Sequence, residues 1–367
     1  MDQGGPAPSQ AILRISEIVA PRSYGRSWRR RHEPETSLNC ASGTRVLFCT
    51  ALLPQPRAQN MNTPHLTHSS GTADRACGAL IGLAVGDALG APVEFRPRGS
   101  FSAVSEMRAG GRFRLPAGAW TDDTAMALCL AECLLASSEF DEKDLLERFC
   151  RWAEFGENTS TGVAVGIGQI TLRNLGHYRR TGQLTAPQPQ GRADGNGALM
   201  RLAPAAIYHH ASPAMAADIA VRQGRTTHNS VLSDQACMFT AYLMAELIRG
   251  TPWSTALAEA LSMQQGPELR ACIDRRHSDS EPPSTGFVLD TLEAALWAIE
   301  RTDSFETALI AAVNLGHDAD TVGAVTGQIA GARYGLSAIP SQWLDVLARR
   351  DRILGIAYRL MGQDTQE

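Results

Sequence analysis

From Thr72 onward, apolar residues recur at intervals of three and four, as in Val288, Leu289, Leu292, Leu296 and Ile299. That spacing gathers side chains on one face of a helix and turns that face toward a core. The same periodicity predicts helices over about 124–137, 142–155, 213–224, 233–249, 286–301, 319–334 and 341–361. No series of alternating apolar and polar positions predicts a set of strands, so the pattern implies an all-α protein. The Pro- and Gly-containing segments 181–197 and 264–285 are expected to be loops. The second, carrying Asp274, Arg275, Arg276, His277 and Asp279, is expected to be solvated surface.

The first helix has Thr72 and Asp74 as start signals and an apolar run from Ala76 to Leu89. Gly78, Gly82, Gly86 and Gly90 repeat every fourth residue within it and would share one face. Glycine weakens a helix, so a face made of glycine is expected where a second backbone packs closely. Asp87, in the same stretch, is expected to form local hydrogen bonds rather than to catalyse.

Composition changes the picture at the N-terminus. Residues 1–71 are rich in Pro, Ser and Arg, lack sustained periodicity, and read as an extension outside a main domain at 72–367. Arg22, Arg26, Arg29, Arg30 and Arg31 beside Trp28 suit an arm that binds an acidic partner. Met61, shortly before the first helix, offers the competing reading of a later start. Elsewhere the formal charge of -4 supplies no basic field for nucleic acid. The eight cysteines contain no C-x-x-C pair, and Cys129 and Cys133 sit in an apolar helical pattern as core thiols. A reducing cytoplasm fits this cysteine usage. The apolar run Val46 to Leu53 is too short to span a bilayer, so no membrane association is expected.

Two acidic clusters stand at helix starts, Thr121-Asp122-Asp123-Thr124 and Asp318-Ala319-Asp320-Thr321. Either alone reads as a capping sequence, since Asp and Thr accept hydrogen bonds from free backbone amides. A cap needs one such side chain, however, and each cluster brings two carboxylates and a hydroxyl. Oxygen ligands without Cys or His suit a hard cation, Mg²⁺ or Mn²⁺ ahead of zinc, with Ca²⁺ also open. Glu94, just past the glycine-faced helix, has the chemistry of a metal ligand or of a general base.

These motifs resemble the ADP-ribosylglycohydrolase family. The resemblance covers about residues 74–360 and is carried by GALIGLAVGDALGAPVEF (78–95), GAWTDDTAMALCLAE (118–132), GENTSTG (156–162), DGNGALMR (194–201), THN (227–229), TGFVLDTLEAALWA (285–298) and NLGHDADTVGAVTGQIAGARYG (314–335), in family order. It implies an orthogonal multi-helix bundle with two Mg²⁺ or Mn²⁺ ions at the base of an ADP-ribose cleft. The implied metal ligands are Thr121, Asp122, Asp123, Asp318, Asp320 and Thr321, with Glu94, Asp123 and Asp320 as the catalytic carboxylates. Gly195, Asn196 and Gly197 would bring backbone amides to the ligand, and His228 would lie near its ribose or phosphates.

The implied reaction is hydrolysis of ADP-ribose from arginine of a modified protein. Alternatives that keep the same site are hydrolysis of serine-linked ADP-ribose and capture of a toxin without turnover. The resemblance is strongest to bacterial immunity proteins against ADP-ribosyltransferase toxins, some of which use an N-terminal extension to occlude the toxin; residues 1–71 occupy that place. One departure stands out. Relatives carry an aspartate in a C-F-D-I-G-N-T-T type segment where this chain has Gly166, and an asparagine where it has Gln169. The lost aspartate predicts slow turnover and a gain in rate for Gly166→Asp, with Glu94, Glu154 and Glu157 as candidate substitutes. His317 replaces an Asp or Gly common in relatives.

Overall fold

The computed structural model of the protein describes residues 71–188, 194–263 and 266–363. Its first helices are α1 (Gly71–Gly90), α2 (Asp122–Ala136), α3 (Glu142–Phe155), α4 (Gln169–Thr181), α5 (Ala203–Tyr208), α6 (Pro213–Arg225) and α7 (Val231–Arg249). They are followed by α8 (Trp253–Ser262), α9 (Pro267–Asp274), α10 (Val288–Glu300), α11 (Phe305–Val313), α12 (Ala319–Tyr334), α13 (Ser341–Val346) and α14 (Arg350–Leu360). Among the described residues only two isolated bridges, Gly110 with Leu115 and Gly195 with Phe287, depart from this all-α pattern.

Three helices form the centre. Every residue is buried from Ala76 to Gly90 in α1, from Asp122 to Ala131 in α2 and from Ala319 to Ala332 in α12. Helices that are small or apolar on all sides belong inside a core. α1 is long and apolar enough to cross a membrane, yet its apolar stretch is buried within the bundle.

The glycine face of α1 packs on α12, and these two helices make the most extensive helix contact among the described residues. A methyl group on Gly78 would lie 2.5 Å from the Gly331 carbonyl oxygen, and methyls on Gly82, Gly86 and Gly90 would strike the carbonyls of Gly327, Gly323 and Ala319. The relation is reciprocal, because methyls on Gly323, Gly327 and Gly331 would strike the carbonyls of Gly86, Gly82 and Gly78. Partners ascend along one helix as they descend along the other, so the helices are antiparallel. The C-terminal end of α1 is thereby locked beside the N-terminal end of α12.

Several boundaries differ from the pattern. The stretch 341–361 is not one helix, because Arg349 takes a left-handed backbone (φ 53°) and separates α13 from α14. Segment 264–285 contains α9, opened by Pro267 in the first turn, where its missing N–H is no loss. Nor is that segment simply solvated: Arg275 pairs with Glu293 at 2.5 Å and Arg276 with Glu300 at 3.4 Å, tying it to α10. Helices α4, α5, α8 and α11 carry patterns too short or too polar to announce themselves. Asp74, expected as a helix-start signal, accepts hydrogen bonds from Ser337 N and Oγ, both at 3.0 Å.

The six cysteines among the described residues are free and buried, and burial pushes their thiols up to about 12. They are core residues. Cys40, Cys49, the arginine cluster and Trp28 lie outside the described residues, as does the rest of the extension to residue 70.

Candidate active site

The N-terminus of α2 is capped by a residue of another helix. Asp87 of α1, fully buried, accepts from the backbone N–H of Thr121 (2.9 Å) and of Thr124 (3.0 Å). It also accepts from both hydroxyls, Thr121 Oγ1 at 2.9 Å and Thr124 Oγ1 at 2.6 Å. Burial pushes its carboxyl up to about 6, against the downward pull of these hydrogen bonds. Orphan amides at the helix start are satisfied this way, which leaves Asp122 and Asp123 with no capping duty.

The N-terminus of α12 reaches the same place through the glycine contact and a two-way backbone tie. Phe95 N donates to His317 O at 2.6 Å, and His317 N donates to Arg96 O at 2.8 Å. His317 sits in the left-handed region (φ 56°), where a glycine would be under less strain. This tie sets Glu94 beside Asp318 and Asp320, and one carboxylate oxygen from each of the three lies within 4.8 Å of the others. Asn196 steadies the group by donating through Nδ2 to Asp318 Oδ2 (2.6 Å) and to Thr291 Oγ1 (2.9 Å). It thereby holds the Asp318 carboxylate in place while also lining the cavity, a contact the glycine-rich motif gave no reason to expect.

Charge is concentrated here, and among the described residues none of these carboxylates makes an ion pair. Burial, and then the charges of Asp320, Asp122 and Asp318, push the Glu94 carboxyl up to about 11. Burial and neighbouring carboxylates hold Asp122, Asp123 and Asp320 well above the usual range. Asp318 is raised by burial, opposed by hydrogen bonds from Asn196 and Thr321. Glu94 Oε2, Asp123 Oδ1 and Asp320 Oδ1 are buried with no hydrogen-bond partner. Such an arrangement is stable as carboxylate only with a cation among the oxygens. An all-oxygen donor set with orphaned lone pairs fits a hard divalent ion.

Glu94, Asp122, Asp318, Asp320 and Thr321 line one cavity of about 570 Å³, with Gly195, Asn196, Gly197 and His228 on its wall. Thr121 and Asp123 are buried and do not line it; Thr121 Oγ1 lies 3.1 Å from Asp123 Oδ2. The structure thus brings together the candidate metal ligands, Glu94, the Gly195–Gly197 segment and His228, with Thr121 and Asp123 set behind the wall. A methyl on Gly197 would lie 2.6 Å from His228 Cε1, and one on Gly195 would lie 2.9 Å from Ile170 Cδ1. The two glycines make room for side chains as well as for a ligand. Phe95 and Arg112, stacked at 5.2 Å, also line the cavity, and nothing in their sequence context marks them.

Gly166 lies against one of the candidate metal ligands. Its backbone is left-handed (φ 82°), and a methyl there would run into Asp122 Oδ1. An aspartate cannot simply be restored at this position without displacing Asp122. Glu154 and Glu157 are no substitutes, since they pair with Arg179 and Arg151 and do not line the cavity. Of the three candidate acids only Glu94 faces it.

A profile of the ADP-ribosylglycohydrolase family matches residues 68–367. The ADP-ribosylarginine hydrolase Tri1 of Serratia proteamaculans (strain 568) is 39% identical over 310 residues, which cover 84% of each chain. The ADP-ribosyl-dinitrogen-reductase glycohydrolase of Rhodospirillum rubrum is 39% identical over 281 residues, covering 75% of this chain and 90% of that one. A solved structure, an ADP-ribosylglycohydrolase-related protein complex, superposes with a TM-score of 0.71 at 42% identity, covering 80% of this chain and 99% of its own. Since the family match takes in both acidic helix starts, the glycine-locked helix pair and every residue that lines the cavity, the protein belongs to the ADP-ribosylglycohydrolase family.

Proposed function

We propose that the protein hydrolyses the N-glycosidic bond between ADP-ribose and an arginine guanidinium of a modified protein, with two divalent cations, Mg²⁺ or Mn²⁺, in the acidic cavity. The chain is an enzyme of the ADP-ribosyl glycohydrolase type; its arginine linkage is proposed because relatives at 38% and 39% identity bear the name ADP-ribosylarginine hydrolase. The single observation that carries the reading is the meeting of Glu94, Asp318 and Asp320 within 4.8 Å at one cavity.

The residues that would hold the cations are Thr121, Asp122, Asp123, Asp318, Asp320 and Thr321, with Glu94 beside them. When bound, the cations supply Lewis-acid polarisation of ribose oxygens and offset charge in the transition state. Glu94 takes a proton from the attacking water through its unpaired Oε2 and delivers it to the leaving guanidine nitrogen. Water oxygen then replaces nitrogen on the anomeric carbon, arginine leaves as its protonated guanidinium, and the Glu94 carboxylate is restored. Asn196 keeps Asp318 oriented, and the narrow walls at Gly195 and Gly197 hold the ribose against the acids.

Release of ADP-ribose from an arginine-modified protein, with Mg²⁺, with Mn²⁺ and with EDTA, tests the reading. Loss of release in EDTA and in Asp320→Ala is expected. Release indifferent to both sinks it, and release only from serine-linked substrate keeps the site but changes the leaving group. The expected toxin-occluding role falls on the extension, outside the described residues.

A further inference from the structure

Arg201 is completely buried and meets no carboxylate among the described residues. Its Nε donates to Gln223 Oε1 (2.8 Å), and its Nη2 donates to Gln223 O (3.1 Å) and to Thr227 Oγ1 (2.8 Å). Its plane lies over the Phe149 ring, 4.5 Å from the centroid. Taking an unpaired guanidinium out of water is costly, so its position calls for a use.

That use follows from counting protons. Thr227 Oγ1 lies 2.9 Å from His228 Nδ1. A guanidinium only donates, and a hydroxyl has one proton. Thr227 Oγ1 accepts from Arg201, and among the described residues His228 Nδ1 is the one acceptor within reach of its buried proton, so the hydroxyl donates to Nδ1. With Nδ1 an acceptor, the neutral ring carries its proton on Nε2. This nitrogen makes no hydrogen bond to any described residue, and it borders Gly197, where a methyl would lie 2.9 Å from it, on the wall of the acidic cavity.

We infer that Arg201 is a positioning residue which, through Thr227, fixes His228 as an Nε2–H donor aimed into the cleft. The cleft then selects at that point a ligand oxygen that only accepts, as a phosphate oxygen does. Burial and the adjacent Arg201 charge push the imidazole down to about 3, which keeps the ring neutral. The identity of the ligand as ADP-ribose rests on the function proposed above; the tautomer does not.

The test is nitrogen-15 NMR of the full chain labelled at histidine, with the His228 signals identified by their loss in His228→Gln. Wild-type protein should show Nδ1 in the unprotonated range and Nε2 in the protonated range. In Thr227→Val the two should move toward averaged values, and ADP-ribose affinity measured calorimetrically should fall about tenfold, the worth of one hydrogen bond. Thr227→Ser should restore both. A wild-type ring protonated on Nδ1 overturns the inference, as does a Thr227→Val protein that keeps tautomer and affinity. The wild-type spectrum needs no folded variant, so the tautomer is decided even if Thr227→Val fails to fold. A correct tautomer in a protein that binds no ADP-ribose overturns the proposed function and leaves the relay standing.

Discussion

Asp87 gathers four donors at a helix start, and an asparagine in its place would turn an N–H toward two of them. Asp87→Asn should lose roughly 1–3 kcal/mol in urea unfolding, the penalty of unsatisfied buried groups. At Gly166 the collision with Asp122 sets the sign: Gly166→Asp should weaken Mn²⁺ binding and lower the melting temperature, where sequence alone predicted a faster enzyme. Glu94→Gln should reduce kcat by roughly 10²- to 10⁴-fold while ADP-ribose still binds, as expected on removing a general acid–base. The acidic identities were legible in the chain because two carboxylates and a hydroxyl exceed what a cap needs. The service of Asn196 and Asp87 was not, because each acts on a residue distant in sequence.

At the scale of elements, the every-fourth-residue glycines of α1 announced a close neighbour but could not name α12. The partner repeat at Gly323, Gly327 and Gly331 is equally regular, and pairing the two requires three dimensions. The break at Arg349 escaped the pattern because a left-handed residue leaves no mark on hydrophobic spacing. Two alanine substitutions separate packing from propensity. Gly327→Ala must push against the Gly82 carbonyl and should cost about 1–3 kcal/mol. Gly355→Ala, in α14 with open space around it, should instead stabilise by about 0.4–1 kcal/mol. Equal effects in thermal unfolding would contradict the glycine contact.

For the whole molecule, the acidic cavity couples folding to protons and cations. Glu94, Asp122, Asp123, Asp318 and Asp320 have folded-state values raised above their unfolded ones, so the cation-free fold holds protons that the unfolded chain releases. Their contribution is fully present below the unfolded values near about 4 and is lost as pH rises. Protons therefore compete with cations, and the gap in melting temperature between Mn²⁺ and EDTA should widen from pH 5.5 to pH 8. A gap that is constant or shrinks would place the cation elsewhere. The backbone contact of α1 with α12 has a consequence for which ion this can be. Main chain touching main chain has no rotamers to yield, so the span between Glu94 and Asp320 has little room to dilate toward a larger ionic radius. Mg²⁺ and Mn²⁺ should fit within that span. Ca²⁺, whose oxygen ligands stand off at about 2.3–2.6 Å in larger number, should occupy the cavity only as an inhibitor.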